Sequence, residues 1–136
     1  MKVFNALVIP MLSYAASTWA MTRTEEKKLD AMEMKMLRTI LNIRWSDRVR
    51  NEDIRRRTQQ VPVSLKIKRA RLKWLGHMER MQVNRIPRKV SKARMIGRRP
   101  RGRPRTRWDQ VVERDLETAG VPMDEACGIA ADRLER

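Results

Sequence analysis

Hydrophobic residues recur along this chain at intervals of three and four, and that spacing predicts helices. The clearest begins after Thr22. Leu29, Met32, Met36, Leu37, Ile40 and Leu41 share one face, with Glu33, Lys27, Lys28, Lys35 and Arg38 off it. Thr22-Arg-Thr-Glu25 has the spacing of a capping box, in which hydroxyl and carboxylate satisfy the first backbone N–H groups. Asn42 to Asp47 breaks the pattern and predicts a loop. Asn51 is placed to cap a short helix to Arg57, with Ile54 turned inward. A second long helix is predicted from a cap at Ser64 to about Met81. Ile67, Ala70, Trp74, Met78 and Met81 line its apolar face, and Leu65, Leu72 and Leu75 widen that face.

Pro87 suits the first position of a short helix. Gly97, Pro100, Gly102 and Pro104 then rule out regular structure from Gly97 to Arg105. Thr106 is placed to cap a helix whose Trp108, Val111, Val112, Leu116 and Ala119 share a face, and Gly120 with Pro122 ends it. Asp124 is placed to start a last helix holding Ala126, Ile129, Ala130 and Leu134. At the other end, Lys2 and the apolar run Val3 to Ala16 have the outline of a signal peptide. Asn5, Pro10 and Ser13 interrupt the run, which also falls short of the ~20 residues of a membrane span. A core helix bent at Pro10 is the better reading. No segment alternates as a strand would. The pattern predicts an all-α fold: a small irregular helical bundle with a basic Pro/Gly/Arg-rich loop near residues 97–105. Three segments are expected: helices over 1–81, a basic linker over 82–105 and a helical extension over 106–136.

Charge changes the picture most. The 136 residues carry 32 Lys or Arg and 16 Asp or Glu, a net +16. The run from Arg85 to Arg107 has no acid and holds 11 basic side chains among 23 residues, so it supplies 11 of the 16 net positive charges. Charge this concentrated points to a polyanionic partner, DNA or RNA, rather than to a merely solvated surface. Arg98, Arg99, Arg101, Arg103, Arg105 and Arg107 are the expected phosphate ligands. Lys66, Lys68, Arg69, Arg71 and Lys73, on the polar side of the second long helix, would extend that surface. No membrane partner is expected. Nuclear residence is the weaker inference from the basic clusters, with the cytoplasm as the alternative.

No catalytic constellation emerges. There is no Gly-rich phosphate loop followed by Lys. The adjacent acids Glu25-Glu26, Glu52-Asp53 and Asp124-Glu125 all lie near predicted helix starts, where the helix dipole already explains them. Cys127 is the only cysteine and His77 the only histidine, too few for a structural zinc site. His77 is expected to be a packed, hydrogen-bonded residue. The chain thus has no predicted catalytic residue, metal site or cofactor of its own.

Within the basic run, Pro100-Arg-Gly-Arg-Pro104 matches the core of an AT-hook, whose extended backbone and arginines enter the narrow minor groove of A·T-rich DNA. Phosphate binding without base preference is the more general reading. Of the four tryptophans, Trp74 and Trp108 sit on apolar stripes and read as core. Trp45, between Arg44 and Arg48 in a loop, is the best candidate for exposure and base stacking, although burial is the commoner state of Trp.

Four segments in order carry a family resemblance: Tyr14-Ala-Ala-Ser-Thr-Trp19; Arg38-Thr-Ile-Leu-Asn-Ile-Arg-Trp-Ser-Asp47 with Asn51 and Ile54; Trp74-Leu-Gly-His-Met-Glu-Arg-Met81; and Gly102-Arg-Pro-Arg-Thr-Arg-Trp108. Together they resemble the region after the catalytic palm in non-LTR retrotransposon reverse transcriptases, most of all the endonuclease-bearing RTE-like group. The resemblance implies that residues 1–81 correspond to a helical thumb that grips template–primer duplex, and that the basic segment and last helices form an extension holding element RNA or target DNA. The parent reaction would be target-primed reverse transcription, an RNA-directed DNA polymerase activity with a separate endonuclease. The family's Gly and Glu before its Trp are replaced here by Ala15 and Ser17, and its paired palm aspartates are absent. Mg²⁺ is implied only for that missing palm. The expected function is therefore nucleic-acid binding by a truncated element copy, whose partners would include the missing palm and endonuclease portions and which would be inactive as a polymerase alone. The alternatives are a host-adopted AT-hook-like DNA-binding protein and a translated fragment without function.

Overall fold

A computed structural model describes residues 1–93, 101, 102, 105–123, 125 and 126. It is all-α, and no strand occurs among the described residues. After a π-helical stretch at Phe4–Val8 come α1 (Ile9–Leu12), α2 (Arg23–Ile40), α3 (Asn51–Thr58), α4 (Val63–Glu79), α5 (Ile86–Lys92) and α6 (Trp108–Ala119). The expected helix from Asp124 lies mostly outside the described residues. The chain packs as two compact units. One comprises Met1–Ala16 with Thr22–Arg69, the other Ser17–Met21 with Ala70–Arg136. This division falls inside α4.

In the first unit α2 starts as its sequence dictates. The Thr22 N–H donates to Glu25 Oε2 at 2.7 Å, and Thr22 Oγ1 accepts from the Glu25 N–H at 3.3 Å. The Thr22 hydroxyl also donates to Glu25 Oε2, at 2.9 Å, and the two bonds received by the carboxylate, from the Thr22 backbone first and its hydroxyl second, lower the Glu25 pKa. The core gathers Phe4, Met34, Leu37 and Ile54, flanked by Val8, Ile9, Met36, Leu41, Ile43 and Val49. Pro10 stands in the first turn of α1, and of the amino-terminal run only Phe4 and Ala16 are buried. Val3, Leu7 and Met11 face solvent, so it is less of a core helix than its composition predicts.

The buried face of α2 also departs from the predicted stripe. Met32 and Ile40 are about half exposed, whereas Glu33 is fully buried beside Met34 and Leu37. The reason lies in α4. Its first N–H groups have no partner within their own helix, and α2 supplies acceptors. Asp30 Oδ1 accepts from the Ser64 N–H at 3.0 Å, Asp30 Oδ2 from the Ser64 hydroxyl at 2.7 Å, and Glu33 Oε2 from the Val63 N–H at 3.3 Å. Two carboxylates of one helix thus cap the positive end of another. Ser64, expected to be a cap, lies within the first turn and is itself a donor. Asn51 likewise stands inside α3, after Arg50, and its Oδ1 accepts from Arg38 Nη2 at 2.9 Å.

In the second unit Leu75 and Met78 of α4 pack with Val112 and Leu116 of α6, and Leu72, Trp74, Trp108, Val121, Met123 and Ala126 surround them. Trp108 is anchored through its indole N–H, which donates to the Ser17 carbonyl at 2.7 Å. Arg107, rather than Thr106, takes the cap position of α6. The helix ends at Gly120, whose φ of 72° lies in the left-handed region that glycine tolerates without strain.

Candidate nucleic-acid interface

The eleven predicted phosphate ligands divide into four groups. Arg98, Arg99 and Arg103 lie outside the described residues. Arg101, Arg105 and Arg107 are exposed, as are Arg69 and Lys73 on α4. Arg107 meets Asp109 at 3.1 Å, with both side chains about half exposed. A pair in that setting contributes little and exchanges readily for a phosphate.

Lys66 and Lys68 are only partly exposed and already engaged. Lys66 Nζ donates to Gln60 Oε1 at 3.0 Å, and Lys68 Nζ lies 3.9 Å from Glu26 Oε2. These contacts lower the positive potential that the first half of α4 offers a ligand.

Arg71 is a correction. The sequence predicts it on the basic surface, but its side chain is fully buried in the second unit. Its Nη2 and Nε stand 2.6 and 2.8 Å from Asp115 Oδ2, and Asp115 is equally inaccessible. The inward face of α4 follows Val63, Ile67, Arg71, Leu75 and Met78, a run of fours and a three. Arg71 falls on that line, and a carboxylate from α6 neutralises it there.

Within the acid-free run, Arg88 and Lys92 are partly compensated. They lie 3.6 and 3.9 Å from Glu79 Oε2, and Arg88 also donates to the Met81 carbonyl. His77, expected to be packed, is exposed, with its ring 5.4 Å from that of Trp74. Trp74 and Trp108, expected to be core, do pack against it. They also line an open groove of about 490 Å³, together with Met78, Ile86, Pro87, Val90 and the Arg107–Asp109 pair.

A second set of exposed cations lies outside the predicted phosphate ligands. Arg44, Arg48, Arg50, Arg56 and Arg57 are all exposed in the first unit. Glu52 and Asp53, in the first turn of α3, obscure the excess when charges are counted by segment. Among them stands Trp45, which is 93% exposed.

Among the described residues, no group of three or more His, Cys, Asp or Glu stands where it could hold a metal ion. Nor is any described helix long and apolar enough to cross a membrane. The exposed basic side chains offer guanidinium and ammonium donors, a chemistry suited to gripping an anionic backbone. No family model matches the chain, and no curated protein or solved structure matches it either.

Proposed function

We propose that the chain binds nucleic acid by neutralising backbone phosphates, as the thumb-and-tail portion of a reverse transcriptase from a non-LTR retrotransposon, without a catalytic centre of its own. The observation that carries the reading is the concentration of 11 of the 16 net positive charges between Arg85 and Arg107. Of the described basic residues there, Arg85, Lys89, Lys92, Arg101, Arg105 and Arg107 are exposed to a ligand. Arg69 and Lys73 add exposed cations on α4. Each phosphate contact releases condensed counterions, so affinity comes mainly from electrolyte entropy and is tuned by salt. The reverse-transcriptase part of the reading rests on the four quoted segments, and in that setting the bound duplex would be template–primer or target DNA. Nuclear residence belongs to the same proposal.

The test is fluorescence anisotropy with a labelled duplex between 50 and 200 mM KCl. About six contacts give a log–log slope of affinity against salt near −5. Changing Arg101, Arg105 and Arg107 together to Gln reduces the magnitude of that slope by about 3. A salt-independent affinity, or no binding below millimolar protein, overturns the proposal. A marked preference for A·T-rich over G·C-rich duplex favours the AT-hook alternative.

A further inference from the structure

Trp45 is the most exposed large apolar side chain among the described residues, and hydrogen bonds close its loop. The chain leaves α2 through a left-handed Asn42, with φ of 52°, and the Ile43 N–H returns to the Arg38 carbonyl at 2.9 Å. The Arg44 N–H donates to Asp47 Oδ2 at 2.7 Å, and the Asp47 N–H donates back to the Arg44 carbonyl at 3.1 Å. Arg38 Nη2 then clamps the far side, donating to the Val49 carbonyl at 2.8 Å and to Asn51 Oδ1 at 2.9 Å. Ile43 and Val49, on either side of the tip, pack on the core of Phe4, Met34, Leu37 and Ile54. The loop is held at both ends and by its middle, and it projects one indole into solvent.

That arrangement forgoes the burial of a large aromatic surface, which is the usual reason for a tryptophan. The neighbours narrow what the ring is for. Its chain neighbours Arg44, Ser46, Asp47 and Arg48 are all polar and exposed, unlike the apolar core of a protein–protein interface. The one acid at the tip, Asp47, is engaged in closing the loop. Arg44, Arg48 and Arg50 are exposed cations of the same loop. A π-face on a loop that also carries guanidinium groups matches a polyanion whose own π-faces are uncovered.

We propose that the 42–50 loop is a stacking platform for single-stranded nucleic acid, with Trp45 stacking on an unpaired base and Arg44, Arg48 and Arg50 meeting the adjoining phosphates. This rests on the nucleic-acid-binding reading and adds to it a second site, specific for unpaired strands. A duplex, whose bases are already stacked, gains nothing from Trp45.

The experiment compares the full chain with Trp45→Ala and Trp45→Phe by anisotropy, using 15-nucleotide oligo(dT), 15-nucleotide oligo(U) and a 15-base-pair duplex. Circular dichroism melting checks that each variant folds, which the exposure of Trp45 leads one to expect. Trp45→Ala weakens single-strand binding about tenfold. It leaves the duplex affinity within about twofold, and the salt slope does not change because no charge is lost. Trp45→Phe retains most of the affinity. Equal losses on single strand and duplex, or none on either, overturn the stacking site while duplex binding with its salt slope leaves the broader reading standing. Absence of binding to any of the three ligands removes both. A parallel arm uses vesicles containing phosphatidylserine. Vesicle binding that depends on Trp45, with oligonucleotide binding that does not, assigns the loop to a lipid surface and overturns the proposal.

Discussion

Removing Asp115 should destabilise the second unit far more than an ordinary ion pair could. Arg71 and Asp115 are both fully inaccessible and stand 2.6 Å apart at their closest atoms. An exposed pair contributes roughly 0.2–1 kcal/mol, because water and salt screen it. Here the charges have been desolvated, so deleting Asp115 takes away the carboxylate that meets the buried Arg71 guanidinium, at a cost of about 3–5 kcal/mol. That is a large part of the ~5–15 kcal/mol by which domains are usually stable. With a urea m-value near ~1.5 kcal/mol per molar, Asp115→Leu should lower the unfolding midpoint by about 2–3 M. Urea titration followed by circular dichroism at 222 nm measures it. Arg71→Met with Asp115→Leu should recover most of the loss, since an apolar pair can replace a buried ion pair at little cost. A midpoint shift under about 0.7 M for Asp115→Leu would show that the site is effectively hydrated and refute the argument. The same variants separate structure from binding. A phosphate-contacting Arg71 would take about 0.9 off the salt slope when changed to Met, whereas the buried Arg71 leaves the slope of the folded protein unchanged.

Two further outcomes follow from the first unit. Burial raises the pKa of Glu33 above its ordinary value, against the opposing effects of the Val63 N–H, Arg55 and Lys66. A raised carboxyl pKa means that the fold favours the protonated form. Its stabilising contribution is complete below the unfolded value and is lost as pH rises through the folded one. The melting temperature of the parent relative to Glu33→Gln should therefore increase as pH falls from 7 towards 4.5, and a difference independent of pH would refute the assignment. Ile54 is fully buried among Phe4, Met34 and Leu37. Ile54→Ala should cost about 2–5 kcal/mol in urea titration, and a loss below ~1 kcal/mol would mean that the α2–α3 core collapses around the cavity.

Where sequence and structure agree, the cause is local. Thr22 and Glu25 are three residues apart, so the start of α2 was legible as a spacing. The same holds for the stop at Gly120, and for the acids in the first turns of α2 and α3. Trp45 was legible as the best candidate for exposure because its immediate neighbours are polar. Where they disagree, the partner is distant. Asp30 and Glu33 cap a helix that begins 30 residues or more further on, which turns a charged position inward and leaves Met32 and Ile40 outside. Asn51 does not cap its helix, because its side chain is held by an arginine 13 residues earlier.

The sequence by itself determined the helical class, the local helix signals and the concentration of positive charge, because periodicity, capping and formal charge depend on residue identity and short spacing alone. Only the tertiary structure decided which of those charges are free to meet a ligand. Arg71 and Lys73 are two residues apart on one helix and look equivalent in the sequence. A carboxylate 44 residues from Arg71 makes it part of the interior, while Lys73 stays in water. A desolvated cation is stable only where the fold brings an opposite charge against it, and local spacing carries no record of that encounter.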